Sequence, residues 1–446
     1  MSEAELDYRY GWRWLLPMSS LRSVQLLGFG REDQRFWSRV IPSSDTSVKG
    51  ARADLLLVDA SAETADTGLD RDGVDSARVA CVLSGGAAAL RWRSVLRQSF
   101  PRVREYALLP AANPRVVVPL ASPQHAVQGL GLHRPGRRRA RAAIWLARQL
   151  ARVGNFSLLR QRVLLVSTRD PEAATDGASA AGVTSSLSSR VTDYALYLGT
   201  PDDNRKTVVL PLGPGVSDIL LKVGSTEKAK AALRNEAAAL RLLGDSPLAE
   251  CVPKLQGLTE GHDTLTLMQE YRERQPVSRK KMEQAAVAFL VGLAAVGRGR
   301  RPLADWLRSL PATVQETCPG LRQRLRSLAE AGAHLWVHRG HGDFAPWNCA
   351  WTSRGLFVFD WEESRAGELA LSDAFYFAAA PALHVGRGAS VKGVLAEIWR
   401  VAKPVGAAMG LSAQDVDVYL AVWLLCRAER SALYRELLAL LERKRR

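Results

Sequence analysis

The chain has 446 residues, 47% of them hydrophobic and 24% charged, which excludes a disordered protein and exceeds a single ordinary core. Its formal net charge is +16. The longest apolar run, residues 285–297, is too short to cross a bilayer, and the acidic-then-aromatic opening MSEAELDYRYGWRW is unlike a secretion signal. Five scattered cysteines, Cys81, Cys251, Cys318, Cys349 and Cys426, lack metal-ligand spacing, so a reducing cytoplasm is the expected compartment.

Residues 1–167 mix strand-like runs (SVQLLGFG, DLLLVDA, ARVACVLSG, RVVVPL) with an arginine-rich helical stretch and are expected to form an α/β region. The first strand runs into Gly28-Phe29-Gly30 and the second ends at Asp59, an order found in nucleotide and methyl-donor sites. The third glycine of that pattern is missing. An α/β scaffold without a working cofactor site is therefore the better expectation.

The charge has a location. Residues 76–169 hold 17 arginines, no lysine and one acid, Glu105, and so carry a formal charge equal to that of the whole chain. Codon preference explains arginine over lysine, 50 against 11 in total, but not the missing acids. Such a field should attract an anionic membrane surface, a polyanion or an acidic partner, with peripheral membrane attachment as one outcome. Within it, residues 134–162 read as a basic helix with Arg141, Arg148 and Arg152 on one face. Ile144, Ala147 and Leu150 lie on the other face, and Trp145 near the boundary. It is either a surface helix docked on a core or one lying on an anionic membrane or glycan. No motif supports nucleic acid.

Residues 168–190, rich in Ala, Ser, Gly and Thr, read as a linker. Beyond them YALYLGT, KTVVLPL and DILLKVGS predict an antiparallel meander, with GPG at 213–215 as a turn. A helix follows over TEKAKAALRNEAAALRLLG, closed at Gly244, then a strand pair near residues 253–271, then mostly helices. Strands first and helices later define an α+β arrangement of a small lobe, 191–272, and a helical lobe, 273–446. The 12 tryptophans are expected in cores, with Trp347 the exception worth testing.

Three groups of residues carry chemistry. Lys222 ends an apolar strand, so its ammonium is expected to point into a cleft and reach phosphate oxygens, with Glu236 of the next helix holding it by charge. His341-Gly342-Asp343, with Asn348 five residues on, forms a loop, and LFVFD ends at Asp360. Carboxylates at the mouths of two adjacent strands, with an amide oxygen between, offer hard ligands to Mg²⁺. Asp343 would then accept the proton of a hydroxyl or orient it.

These motifs, in this order, resemble the aminoglycoside phosphotransferase and choline kinase group, relatives of protein kinases, over residues 191–446. The resemblance makes His341, Gly342, Asp343 and Asn348 the catalytic loop, with Asn348, Asp360 and Glu362 as metal ligands. It implies contact of Lys222 with the α- and β-phosphates of ATP, pairing with Glu236, and backbone contacts to adenine from Glu270 and Tyr271. Asp373 would buttress the catalytic loop. One feature departs from the pattern: the loop GTPDDNRK has a single glycine and carries Asp202 and Asp203, which repel phosphates unless turned outward or offset by Arg205 or Lys206.

The expectation is a bilobal protein-kinase-like domain behind a basic α/β region. Its reaction would be ATP- and Mg²⁺-dependent O-phosphorylation of a small-molecule or glycan hydroxyl. The alternative is a non-catalytic scaffold that binds nucleotide and docks an anionic partner.

Overall fold

The computed structural model describes residues 9–41, 53–60, 71–111, 114–132, 138–169, 190–199, 202–216, 218–261, 263–310, 314, 318–385 and 390–443. Residues 170–189 of the expected linker and 134–137 of the expected basic helix lie outside them, as do residues 200 and 201 of the GTPDDNRK loop. The chain divides into two compact units, one of residues 1–233 with 256–271, the other of 234–255 with 272–446. The division falls inside a helix and after the strand pair, not at residues 168–190.

The first unit is built on one sheet of eleven strands. In chain order these are β1 (Val24–Leu27), β2 (Leu55–Asp59), β3 (Val79–Ser84), β4 (Arg102–Leu109), β5 (Val116–Pro119), β6 (Val163–Thr168), β7 (Asp193–Tyr197), β8 (Lys206–Leu212), β9 (Ile219–Gly224), β10 (Leu255–Glu260) and β11 (Leu265–Glu270). Across the sheet they run β1-β2-β3-β6-β4-β5-β7-β8-β9-β11-β10. β1, β2 and β3 pair in parallel, and the pairings from β3 through to β11 are antiparallel. The expected small-lobe meander thus continues the N-terminal sheet, with Val116 and Val117 of β5 opposite Tyr197 and Leu196 of β7.

Both faces of the sheet are covered, which is why β2 and β3 are unbroken apolar runs. Alternate residues divide between two cores. Leu55, Leu57, Val79, Cys81, Tyr106 and Leu164 face an aromatic cluster of Tyr10, Trp12, Trp14, Phe36 and Trp37. Leu56, Val58, Ala80, Val82, Val163 and Leu165 face Val74 and the helix residues Ala89 and Leu96. The helices are α1 (Arg31–Val40), α2 (Arg71–Ser76), α3 (Gly86–Ser99), α4 (Pro123–Gly131) and α5 (Arg138–Arg152). A buried polar pair lies within the apolar interior: Tyr106 donates to Asp193 at 2.7 Å, joining β4 to β7. Burial pushes the Asp193 carboxyl up.

The start of α1 bears on the Gly28-Phe29-Gly30 pattern. Gly28 has φ +80°, and a Cβ there would lie 2.5 Å from the Asp59 carbonyl oxygen. Asp33 folds back to accept the Gly30 amide at 3.1 Å and also takes the Tyr10 hydroxyl at 2.7 Å. The carboxylate of the helix's own first turn therefore satisfies the amide at the helix start.

A helix, α6 (Glu227–Gly244), runs from the first unit into the second. The second unit continues with α7 (Arg279–Leu293), strand β12 (Gly299–Pro302), α8 (Leu303–Arg308) and α9 (Pro319–Glu330). Strands β13 (His334–Gly340), β14 (Cys349–Thr352), β15 (Gly355–Val358) and β16 (Arg365–Leu369) follow. Helices α10 (Ser372–Val385), α11 (Val391–Ala408), α12 (Ala413–Leu425) and α13 (Ala432–Arg443) complete it. Its core includes Phe289, Phe344, Trp361, Phe375, Ile398 and Trp423. Five of the 12 tryptophans are buried, Trp12, Trp14, Trp37, Trp361 and Trp423; six others are half-buried and Trp145 is exposed, so the expectation of core tryptophans holds only in part.

Candidate active site

The hairpin of β14 and β15 pairs Cys349 with Val358 and Thr352 with Gly355. Residues just outside its open end are thereby neighbours, and the Phe359 amide donates to the Asn348 carbonyl at 3.1 Å. This pairing brings Asn348, at the end of one motif, beside Asp360, at the start of the other.

Asp360 adopts a left-handed backbone, φ 73°, rare for a residue with a side chain. It opens a short 3-10 turn, Trp361–Glu363. Trp361 points into the core, its ring centroid 4.5 Å from that of His341, and its indole N–H donates to the Val358 carbonyl at 3.1 Å. The buried tryptophan anchors the turn while the acids on either side stay near the surface. Asn235 of α6 holds the same turn, its side-chain amide donating to the carbonyls of Glu362 at 2.6 Å and Ser364 at 2.9 Å. Sequence reasoning missed Asn235. The available signal was a poor helix former inside an alanine-rich helix, directly before Glu236.

Glu236 is fully buried. Its Oε1 accepts the Trp361 amide at 3.4 Å, and oxygens of Glu236, Asp360 and Glu362 lie within 4.8 Å of one another. Three carboxylates this close repel, and a small divalent cation relieves the repulsion with the all-oxygen donors it prefers. The residues present fit Mg²⁺. Glu236 belongs to this group, an association that the sequence reading, which paired it with Lys222, did not make.

The catalytic-loop candidates rest on Asp373. Its fully buried carboxylate accepts the His341 amide at 2.7 Å and the Gly342 amide at 3.1 Å. Gly342 has φ +85°, and a Cβ there would stand 2.2 Å from the Glu363 carbonyl oxygen, so no other residue fits. The His341 ring is buried between Phe344 and Trp361. The Asp343 amide can only donate, so Nδ1 of His341 accepts it at 3.3 Å and Nε2 carries the hydrogen given to the Phe359 carbonyl at 3.1 Å. Both nitrogens thus serve the backbone.

Asp343 is half-buried. Asn348 Nδ2 donates to its Oδ2 and to its backbone carbonyl, both at 2.9 Å, which turns the amide oxygen of Asn348 to the other side of the group. The Tyr376 hydroxyl of α10 favours the ionised form of Asp343. Burial raises the Asp343 carboxyl above the ordinary range; Tyr376 and Asn348 pull it back, and the charge of Asp360 pushes it up. Tyr376 in turn contacts His384 Nε2 at 3.1 Å, and His384 meets the edge of Trp347 at 5.5 Å between centroids. Tyr376 follows Asp373 by three residues, so the two share a helix face; that spacing could have pointed to it. Trp347 is half-buried beside the catalytic loop.

Lys222, Glu270 and Tyr271 belong to the first unit. Lys222 is buried in β9, in register with Leu267 of β11 and Val208 of β8. Glu270 ends β11 opposite Ile219. The Tyr271 amide donates to the Asp218 carbonyl at 2.7 Å, so it closes the strand pair and any nucleotide contact at Tyr271 falls to other atoms. In the GTPDDNRK loop Asp202 and Asp203 are exposed, and Asp202 Oδ1 accepts the Asn204 amide at 2.9 Å, its charge turned to its own backbone.

Residues 202–380 match the model of the phosphotransferase enzyme family. Among solved structures, an aminoglycoside phosphotransferase, APH(4)-Ia, in a ternary complex with ADP and hygromycin B is 14% identical, with 59% of this chain and 97% of that one covered and a TM-score of 0.39. The choline kinase LicA from Streptococcus pneumoniae is 14% identical over 59% of this chain and 95% of its own, TM-score 0.35. The amicoumacin kinase hAmiN, in complex with AMP-PNP, Ca²⁺ and Ami, is 14% identical over 56% and 89%, TM-score 0.34. No curated protein sequence matches the chain.

Proposed function

We propose that the protein is an ATP- and Mg²⁺-dependent O-phosphotransferase acting on a hydroxyl of a small molecule or glycan. The observation that carries this reading is one half-buried carboxylate, Asp343, fixed by Asn348 on a loop held by Asp373, in the same unit as the carboxylate trio Glu236, Asp360 and Glu362.

Asp343 accepts a hydrogen bond from the acceptor hydroxyl and aims its oxygen. As the new O–P bond forms and the bond to the departing nucleoside diphosphate breaks, the hydroxyl proton passes to Asp343. Burial raises the basicity of Asp343 toward that task, while Tyr376 and Asn348 keep it ionised. Asp360 and Glu362, with Glu236 and the amide oxygen of Asn348, would hold Mg²⁺, which when bound neutralises phosphate charge. Lys222 is assigned to the α- and β-phosphates, and the strand end at Glu270 and Tyr271 to the adenine. His341 is assigned to positioning, because both its ring nitrogens are bonded to backbone.

The experiment is a nucleotide-consumption screen with Mg²⁺ and ATP or GTP across aminoglycosides, amino alcohols, nucleosides and sugars. Turnover by the wild type and its loss in Asp343→Asn support the reading. Nucleotide binding without transfer to any acceptor points instead to the scaffold.

A further inference from the structure

The arginine field plays no part in the reaction above, and its structure separates two properties. α5 is anchored by its inner face: Ala147 and Ala151 are buried and Ile144 half-buried against Val116, Val118 and Leu130. That face supplies the packing the helix needs. The outer face is nevertheless apolar. Trp145 is 62% exposed, Leu146 46% and Val153, just past the last turn, 78%, while Leu158 in the next segment is 44% exposed. Among the described residues only two other large hydrophobics, Leu90 and Leu242, are exposed to a comparable degree. On a helix of 3.6 residues per turn, Ala142, Trp145, Leu146, Gln149 and Val153 form one stripe. Arg141 and Arg152 flank it on one side and Arg139 on the other, while Arg148 turns inward and buries its Nε.

Glu105, the one acid of residues 76–169, is buried and paired with Arg93 at 3.1 Å and Arg160 at 2.8 Å. A polyanion would select for charge alone and gives no reason to expose Trp145, Leu146 and Val153. An apolar stripe bordered by arginines suits a surface that is apolar below and anionic above.

We propose that the outer face of α5 rests on an anionic lipid bilayer. Trp145, Leu146 and Val153 enter the boundary between headgroups and acyl chains, and the flanking arginines bond lipid phosphates. No described helix is long and apolar enough to cross the membrane, so the attachment is peripheral. Its purpose would be to hold the phosphotransferase domain at a membrane surface.

The test is co-sedimentation of the full chain with vesicles of phosphatidylcholine alone, and of phosphatidylcholine and phosphatidylglycerol in equal parts. Binding to the anionic vesicles only is expected, weakening steeply as salt shortens the Debye length, about 8 Å at physiological ionic strength. Brominated lipids should quench the wild type more than Trp145→Phe. The double variant Trp145→Ser, Leu146→Ser removes exposed side chains, so it should fold and melt as the wild type does. Its binding should fall about tenfold or more, and Arg139→Glu with Arg141→Glu should abolish binding at low salt. Absence of wild-type binding at low salt overturns the proposal. So does unchanged binding of the double Ser variant, capture of nucleic acid but not vesicles, or a self-association that the Ser variant abolishes while vesicles are ignored.

Discussion

Asn348 spends both hydrogens of its side-chain nitrogen on Asp343, one on the carboxylate and one on the backbone carbonyl, each bond 2.9 Å long. Five residues apart, the pair closes a loop that fixes the direction of the Asp343 carboxylate before any acceptor arrives. Preorganisation of this kind is what a positioning reaction requires.

Asp343→Asn keeps the shape and removes the base. Turnover of an identified acceptor should fall by about a thousandfold or more, while nucleotide affinity, measured by calorimetry, stays near that of the wild type. Unchanged turnover would reject Asp343 as the acceptor-facing group.

Tyr376→Phe removes a hydroxyl that favours the ionised form of Asp343. A carboxylate that loses a donor becomes more basic, so the acid limb of the rate profile should move to higher pH. Activity is lost there as Asp343 takes a proton. At neutral pH the cost should be about tenfold, near the lower end of the range for one interaction with a charged group. A profile superimposable on the wild type would remove Tyr376 from the mechanism.

The carboxylate trio predicts a coupling between metal and stability. Mg²⁺ alone should raise the melting temperature of the wild type by relieving repulsion among Glu236, Asp360 and Glu362. Asp360→Asn should melt at least as high as the metal-free wild type, respond little to Mg²⁺, and lose Mg²⁺-dependent ATP affinity. Equal Mg²⁺ responses in the two proteins would exclude a cation at this group.

Asp373→Asn offers one acceptor where two amides need one each. The amide nitrogen it introduces faces the N–H of His341 or Gly342, leaving a buried donor unsatisfied at a cost of about 1–3 kcal/mol. A lower melting temperature should accompany loss of turnover with no change in vesicle binding. Normal melting and turnover would show that the loop does not depend on this carboxylate.

The candidate residues of the second unit were legible because each sits in a short local pattern. His341 to Asn348 and Asp360 to Glu362 are near neighbours in sequence, and one hairpin joins the two runs. The meander, α6 and the later helices were legible from apolar period and caps. Asn235, Tyr376 and the place of Glu236 among the metal candidates were not, because each depends on contacts across many residues: Asn235 and Glu236 meet the 361–364 turn from α6. The continuity of the sheet was hidden for a related reason. Pairing β5 with β7 is a long-range choice of hydrogen-bond partners, and an Ala- and Ser-rich stretch between them reads as a boundary whatever its flanks do. Sequence alone determined the types of group, their local spacing and the concentration of arginine. The tertiary structure decided which carboxylates lie together and which face of α5 is left apolar, because burial and long-range pairing are properties of the packed chain and not of any window of it.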